Sequence, residues 1–363
     1  MSNISLCMIV KNEDSGLDKC LKSIVNYVDE IIIVDTGSSD RTKEIASSYT
    51  DKIYDFIWVN DFAAARNYSI CKATNEFILV LDGDEFIESI DIEQIRGLLD
   101  TRQQKIGRIQ RINEFTRKGN SYRYYEKVNR LFSKKYFHYE GIIHEQLTFI
   151  EKHDENLQQQ KYDLDNRTFN IPITVMHTGY EGDLINRKKK TQRNIALLEK
   201  ALVQTPKDPY LLYQLGKSYY MEEDYKKACD YLGQALDFNL DLNLEYVQDL
   251  VESFGYALLN TNQFEKSLQL LNIYDELMHS ADFLFLVGLI LMNNSQFGEA
   301  IRAFHNAINT EYYKMEGTNS FLAYYNIGVI YECLGDNQKA IKYYLECGPY
   351  KSAKERLDLL MKI

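Results

Sequence analysis

Over residues 4–86 the chain alternates short, continuous apolar runs with segments whose apolar residues recur every third or fourth position. Runs of the first kind read as strands buried on both faces, and segments of the second kind as helices lying on a sheet. Residues 5–10 are such a strand. After Lys11-Asn12-Glu13-Asp14-Ser15-Gly16, the residues Leu17, Cys20, Leu21, Ile24 and Val28 mark one helical stripe. Ile31-Ile32-Ile33-Val34 is the next strand and ends at Asp35; Thr36-Gly37-Ser38-Ser39-Asp40 then offers a turn and N-caps for a helix through Ala46. A short strand over residues 54–59, a helix over 63–73 and the run Phe77-Ile78-Leu79-Val80-Leu81 complete the series. This alternation predicts a parallel, Rossmann-like sheet. Three strands end in polar clusters, Lys11-Asn12-Glu13, Asp35-Thr36-Gly37 and Asp82-Gly83-Asp84, and the carboxyl ends of parallel strands open on one crevice.

From about residue 107 the pattern changes to aromatic, strand-like segments over residues 108–112, 122–125, 128–132 and 171–176, with a polar, Gln-rich stretch over 151–168 that reads as a surface loop or hairpin excursion. After residue 186 the chain becomes helical and repetitive. Leu215-Gly216, Tyr219, Ala228, Leu232 and Ala235 occupy the small and large positions of a tetratricopeptide repeat. The theme returns as Phe254-Gly255 with Leu271, as Val287-Gly288 with Ala300, Phe304 and Ala307, and as Ile327-Gly328 with Tyr331, Ala340 and Tyr344. The glycines are 39, 33 and 40 residues apart, and the second unit is degenerate, with Ser267 where a small Ala is expected. Residues 350–363 read as a helix capping the last repeat. The expected domains are an α/β domain over residues 1–185 and an all-α repeat solenoid over 186–363.

With 363 residues the chain can bury two cores. Its net charge of −11 argues against a main task of neutralising nucleic-acid phosphates or anionic lipid. No stretch approaches the roughly 18 apolar residues of a transmembrane helix, and the first residues lack the form of a signal peptide. The six cysteines show no CxxC pairing and are expected to be reduced core residues, consistent with a cytoplasmic protein. A glycine-rich dinucleotide fingerprint and a Walker A lysine loop are both missing, so a bound nucleotide must be held by side chains.

Asp82 and Asp84 leave their strand two residues apart and repel each other, which a hard divalent cation bridging to phosphate oxygens would relieve. A metal-bound nucleoside diphosphate is the chemical reading, and a solvated acidic turn the structural one. The wider set of motifs decides between them. Ser5-Leu6-Cys7-Met8-Ile9-Val10-Lys11-Asn12-Glu13, Val34-Asp35-Thr36-Gly37-Ser38-Ser39-Asp40, Asp61-Phe62 through Ala65-Arg66-Asn67, and Asp82-Gly83-Asp84-Glu85 closely resemble family two glycosyltransferases of the GT-A fold. The resemblance covers about residues 1–180. Its combination with tetratricopeptide repeats is similar to a bacterial subgroup, some members of which glycosylate peptide cysteines or serines and others of which serve surface polysaccharides.

The resemblance implies that Asp35 accepts from the nucleotide base, with Asn12 and Glu13 lining the same end. It implies that Arg66 and Asn67 reach the diphosphate or ribose, that Asp82 meets the ribose or the metal shell, and that Asp84 ligates Mn²⁺ or Mg²⁺. Gly141-Ile142-Ile143-His144-Glu145 resembles the subgroup's Gly-x-x-His-Glu segment and makes Glu145 the expected base, with Glu140 and Glu85 as rivals. His177 resembles the late histidine that completes the metal shell. Arg130, Lys190 and Arg193 are further candidates for the donor phosphates. The expected function is a metal-dependent, inverting glycosyltransferase using a UDP-sugar, with a peptide or protein acceptor recruited by the repeats. A surface-polysaccharide or lipid-linked glycan acceptor, and a non-catalytic repeat-based interaction protein, stand as alternatives. The sugar, the acceptor atom and assembly into a homo-oligomer stay open.

Overall fold

A computed structural model describes residues 2–117, 119–150, 167–177 and 184–361, so most of the Gln-rich stretch lies outside the described residues. The chain divides into two compact units, Met1–Glu114 with Glu126–Leu184, and Phe115–Tyr125 with Ile185–Ile363.

The first unit runs β1 (Ile4–Val10), α1 (Leu17–Ile24), β2 (Glu30–Asp35), α2 (Thr42–Ser47), β3 (Ile53–Asp55), α3 (Phe62–Lys72), β4 (Phe77–Val80), β5 (Glu85–Ile90), α4 (Ile92–Thr101), β6 (Ile106–Arg117), β7 (Asn120–Ser133), β8 (Phe137–Glu140), β9 (Gln146–Phe149) and β10 (Thr168–His177). Eight strands form one sheet in the order β3-β2-β1-β4-β7-β6-β10-β5, and β8 pairs with β9. β1 pairs in parallel with β2 and β4, β2 with β3, and β6 with β10; β4–β7 and β5–β10 are antiparallel.

The sheet is buried on both faces because its central strands are apolar at nearly every position, the buried exceptions being Ser5 in β1 and Glu30 and Asp35 at the ends of β2. Leu6, Met8 and Val10 pack with Leu17, Cys20, Leu21 and Ile24 of α1, while Cys7, Ile32, Ile78 and Val80 pack on the other side with Ala63 and Ile70 of α3. The strand expected over 54–59 is only Ile53–Asp55; Ile57 beyond it is almost fully exposed. The separate strand segments expected over 108–132 belong to the longer β6 and β7.

The second unit has α5 (Leu184–Gln204) followed by helix pairs: α6 (Pro209–Met221) with α7 (Tyr225–Leu236), α8 (Glu245–Asn260) with the short α9 (Phe264–Ser267) and α10 (Tyr274–Leu277), α11 (Ala281–Asn293) with α12 (Phe297–Ile308), and α13 (Phe321–Cys333) with α14 (Asn337–Glu346); α15 (Lys351–Leu360) follows. Each repeat glycine is a contact point. A Cβ on Gly216, Gly288 or Gly328 would come within 2.6, 2.5 and 2.6 Å of Leu232, Phe304 and Tyr344 respectively.

In the degenerate repeat Gly255 meets Leu270 and Leu286, not the expected Leu271. There the second helix gives way after four residues to a 3-10 turn over Leu268–Ile273, whose tighter winding rotates the apolar face. The hairpin tip pairs within this unit: Tyr125 N–H donates to Lys314 O at 2.7 Å and Glu316 N–H to Arg123 O at 2.9 Å. All six cysteines are unpaired, and Cys71 and Cys333 are exposed where core positions were expected. Among the described residues no helix is long and apolar enough to cross a membrane.

Candidate active site

The parallel strands β1, β2 and β4 deliver their carboxyl ends to one edge, and loops bind that edge together. Asn12, in the left-handed region with φ 55°, accepts Ser39 N–H on its side-chain oxygen at 2.8 Å. Glu13 N–H donates to Thr42 Oγ1 at 2.7 Å. Asp35 is 3% exposed and accepts the N–H groups of Gly37 and Ser38 at 3.1 and 3.0 Å, an Asx-type turn that fixes its carboxylate.

The turn after β4 is held from two sides. Asp82 N–H donates to Glu85 Oε2 at 3.0 Å, and Glu85 N–H returns to Asp82 O at 3.1 Å. A Cβ on Gly83 would lie 2.9 Å from Glu13 Cγ, and one on Gly16 2.8 Å from Gly83 O. Only glycine at both positions lets the β1–α1 loop close on the Asp82–Asp84 turn.

Asp61 caps α3 by accepting Ala64 N–H at 2.9 Å, which sets the register of the helix and turns Arg66 inward. Arg66, 8% exposed, donates to Asp82 Oδ1 at 2.9 Å and pairs with Glu145. Arg130 of β7, 7% exposed, reaches Asp82 Oδ2 at 2.6 Å and Glu85 Oε1 at 2.8 Å. Burial works against charge on Asp82, but the Arg130 and Arg66 guanidiniums hold its carboxyl well below the usual range. Burial likewise opposes charge on Arg66 and Arg130, and the facing carboxylates keep both firmly protonated.

Removing one partner from so buried a cluster would cost about 3–5 kcal/mol by leaving a charge uncompensated. Two donors in the cage, Arg66 Nη1 and Arg130 Nε, are buried and have no hydrogen-bond partner among the described residues. An unsatisfied buried donor costs about 1–3 kcal/mol, which an anionic ligand would offset.

Asp84 faces the other way, with Oδ2 3.3 Å from His177 Nε2. Among the described residues no group of three or more His, Cys, Asp or Glu side chains converges to hold a metal ion. A two-ligand contribution still fits Mg²⁺ or Mn²⁺, which are commonly bound by one or two carboxylates plus phosphates and water; ligands about 2.1 Å from an octahedral ion stand about 3 Å apart. Asp82, expected at the ribose or the metal shell, has both oxygens on guanidiniums.

The other expected residues engage different partners or are exposed. Both ends of the Asn67 amide bond the main chain of Tyr139, at 2.8 and 2.9 Å, so Asn67 fastens α3 to β8. Glu140 is exposed and faces His138 at 3.1 Å. Glu85 is fully buried and committed to the Asp82 N–H, Arg130 and Arg111, which removes it as a rival base. Lys190 and Arg193 are exposed on α5, in the second unit. Sequence reasoning missed Arg111, Asn113 and Glu126. The available signal was polar or charged residues on one strand face, Arg111 and Asn113 in β6 and Glu126 and Arg130 in β7, inside otherwise strand-like runs.

The Asp82 turn, bridged by the Arg66 and Arg130 guanidiniums, stands at the carboxyl edge of a mostly parallel sheet, and residues 5–172 match the Glycosyl transferase family 2 model. Residues 210–237 and 322–347 match tetratricopeptide repeat models, so the first half of the chain is similar to family two glycosyl transferases and the second to tetratricopeptide repeats. The TPR repeat-containing protein Synpcc7942_0270 of Synechococcus elongatus is 35% identical over 65% of this chain and 57% of its own length. The SPbeta prophage-derived glycosyltransferase SunS of Bacillus subtilis is 28% identical over 81% of this chain and 68% of its own. The chain therefore spans less than two thirds of the first relative and about two thirds of the second. Among solved structures, YrrB, described as a TPR protein with an unusual peptide-binding site, is 22% identical over 48% of this chain and 87% of its own, with a TM-score of 0.40.

Proposed function

We propose that this protein is a metal-dependent, inverting glycosyltransferase that moves a sugar from a UDP-sugar to a peptide side chain, with the repeats recruiting the acceptor. The observation that carries the reading is the Arg66–Asp82–Arg130 cage, whose two buried guanidiniums have unpartnered donors, on the same strand-end turn as Asp84 with its 3.3 Å approach to His177.

In this reading Asp35 keeps lone pairs beyond its bonds to Gly37 and Ser38 and accepts the imide N–H of uracil. Arg66 and Arg130, oriented by Asp82, donate to the diphosphate. Asp84 and His177 hold Mg²⁺ or Mn²⁺, which when bound neutralises charge on the departing UDP. Glu145, fixed through one oxygen by Arg66, takes the proton from the acceptor hydroxyl or thiol with the other. As that proton leaves, the acceptor atom bonds the anomeric carbon from the face opposite the diphosphate. The bond from that carbon to the phosphate oxygen breaks, and UDP departs with the electron pair.

Repeat solenoids present extended surfaces suited to chains, which favours a peptide acceptor. Of the tyrosines on first helices, Tyr213 is excluded from that surface, being buried with its hydroxyl on Asp249 at 2.6 Å; Tyr220, Tyr324 and Tyr325 are half-buried.

Calorimetry with UDP and Mn²⁺ tests the site. Asp84→Ala is expected to abolish the metal-dependent part of UDP binding while leaving the melting temperature near that of the parent. Equal affinity in the two proteins would remove Asp84 from the metal site.

A further inference from the structure

His177 does not stand alone at the strand end. Its Nδ1 lies 2.7 Å from Asn113 Oδ1, and Asn113, 3% exposed, donates through Nδ2 to Glu126 Oε1 at 2.5 Å. Glu126 is in turn held by Arg111, through Nε at 3.0 Å and Nη2 at 2.9 Å.

This chain of partners fixes each orientation. A carboxylate facing a guanidinium only accepts, so the side of the Asn113 amide toward Glu126 is the NH₂ group and the side toward His177 is the carbonyl. A carbonyl oxygen only accepts, so His177 Nδ1 carries the proton. In the neutral ring the Nε2 lone pair then points at Asp84 Oδ2, 3.3 Å away. Two lone pairs so placed repel unless a positive charge lies between them or is shared by them.

We propose that Asn113, clamped by Glu126 and Arg111, is a positioning residue that fixes the Nδ1–H tautomer of His177 and so makes His177 and Asp84 a pair of divalent-cation ligands. The proposal rests on the metal reading given above. Partners of this kind beyond the ligands typically contribute 10- to 100-fold in metal affinity.

The test uses the full chain with Mn²⁺ alone as probe, and reads two quantities: Mn²⁺ affinity, and the imidazole ¹⁵N shifts of His177, assigned with His177→Ala. The metal-free parent with its ring neutral is expected to show a protonated Nδ1 and an unprotonated Nε2. Asn113→Ala is expected to turn the ring to the Nε2–H form usual in water and to weaken Mn²⁺ about 10- to 100-fold. An Nε2–H tautomer in the parent overturns the proposal even if no variant folds. Loss of Mn²⁺ binding in His177→Ala with parental binding in a folded Asn113→Ala overturns it alone. Parental Mn²⁺ affinity in His177→Ala overturns the metal reading together with it.

Discussion

Two glutamates at the site carry the same charge and differ in what their oxygens touch. Glu85 has Oε1 on two guanidiniums and Oε2 on the Asp82 N–H, in a position closed to solvent, so it can only orient. Glu145 spends one oxygen on Arg66, and its other has no partner among the described residues. Glu145→Gln preserves shape and one acceptor but cannot take a proton, so donor affinity is expected to survive while transfer falls about 10²- to 10⁴-fold. Titration of UDP-sugar binding beside single-turnover transfer separates these; collapse of donor affinity would make Glu145 a donor or structural residue instead. Asp82 and Asp84 were legible because a dense acidic turn interrupts an apolar run. Asn113 was not, because its meaning lies in His177, 64 residues away, and in an amide orientation that only the folded partners set.

Among the elements, β1, β2 and β4 were readable from the chain because strands buried on both faces form near-continuous apolar runs. β5 was not, since its burial is uneven and it carries Glu85, Glu88 and Ser89. The tips of β6 and β7 were also hidden: their polar residues are satisfied by partners far along the chain, so only their apolar fragments resembled strands. In the repeats the small residue is itself the signal, and its energetic weight can be measured. A methyl group on Gly288 would strike the buried Phe304 ring at 2.5 Å, whereas nothing lies within 4 Å of Gly97 in α4. Overpacking costs about 1–3 kcal/mol, and relieving glycine entropy in an open helix gains about 0.5–1 kcal/mol. Denaturant melts are therefore expected to show Gly288→Ala destabilised and Gly97→Ala stabilised. Equal, neutral shifts would mean the α11–α12 contact relaxes freely.

On the scale of the molecule, the second unit gives stability a pH dependence. Glu252 in α8 sits among Asp282, Lys314, Asp249 and Lys217; burial first, and then Asp282, raise its carboxyl from an ordinary 4.5 to about 8. Between those values the folded chain keeps a proton that the unfolded chain has released. The contribution is fully present below about pH 4.5 and is lost as pH rises through about 8. Melting temperature should fall more steeply from about pH 5 to about pH 8 in the parent than in Glu252→Gln. Parallel curves would show that Glu252 is ionised in the fold.

The strand tip Phe115–Tyr125 has a consequence for how such a protein can be inherited. Eleven residues encoded within the sheet domain complete the second unit, pairing with Lys314 and Glu316 some two hundred residues downstream. A genetic crossover near residue 185 would give the descendant a foreign solenoid without the segment that pairs with it. An exchange of repeats that keeps this pairing has to carry residues 115–125 along with them.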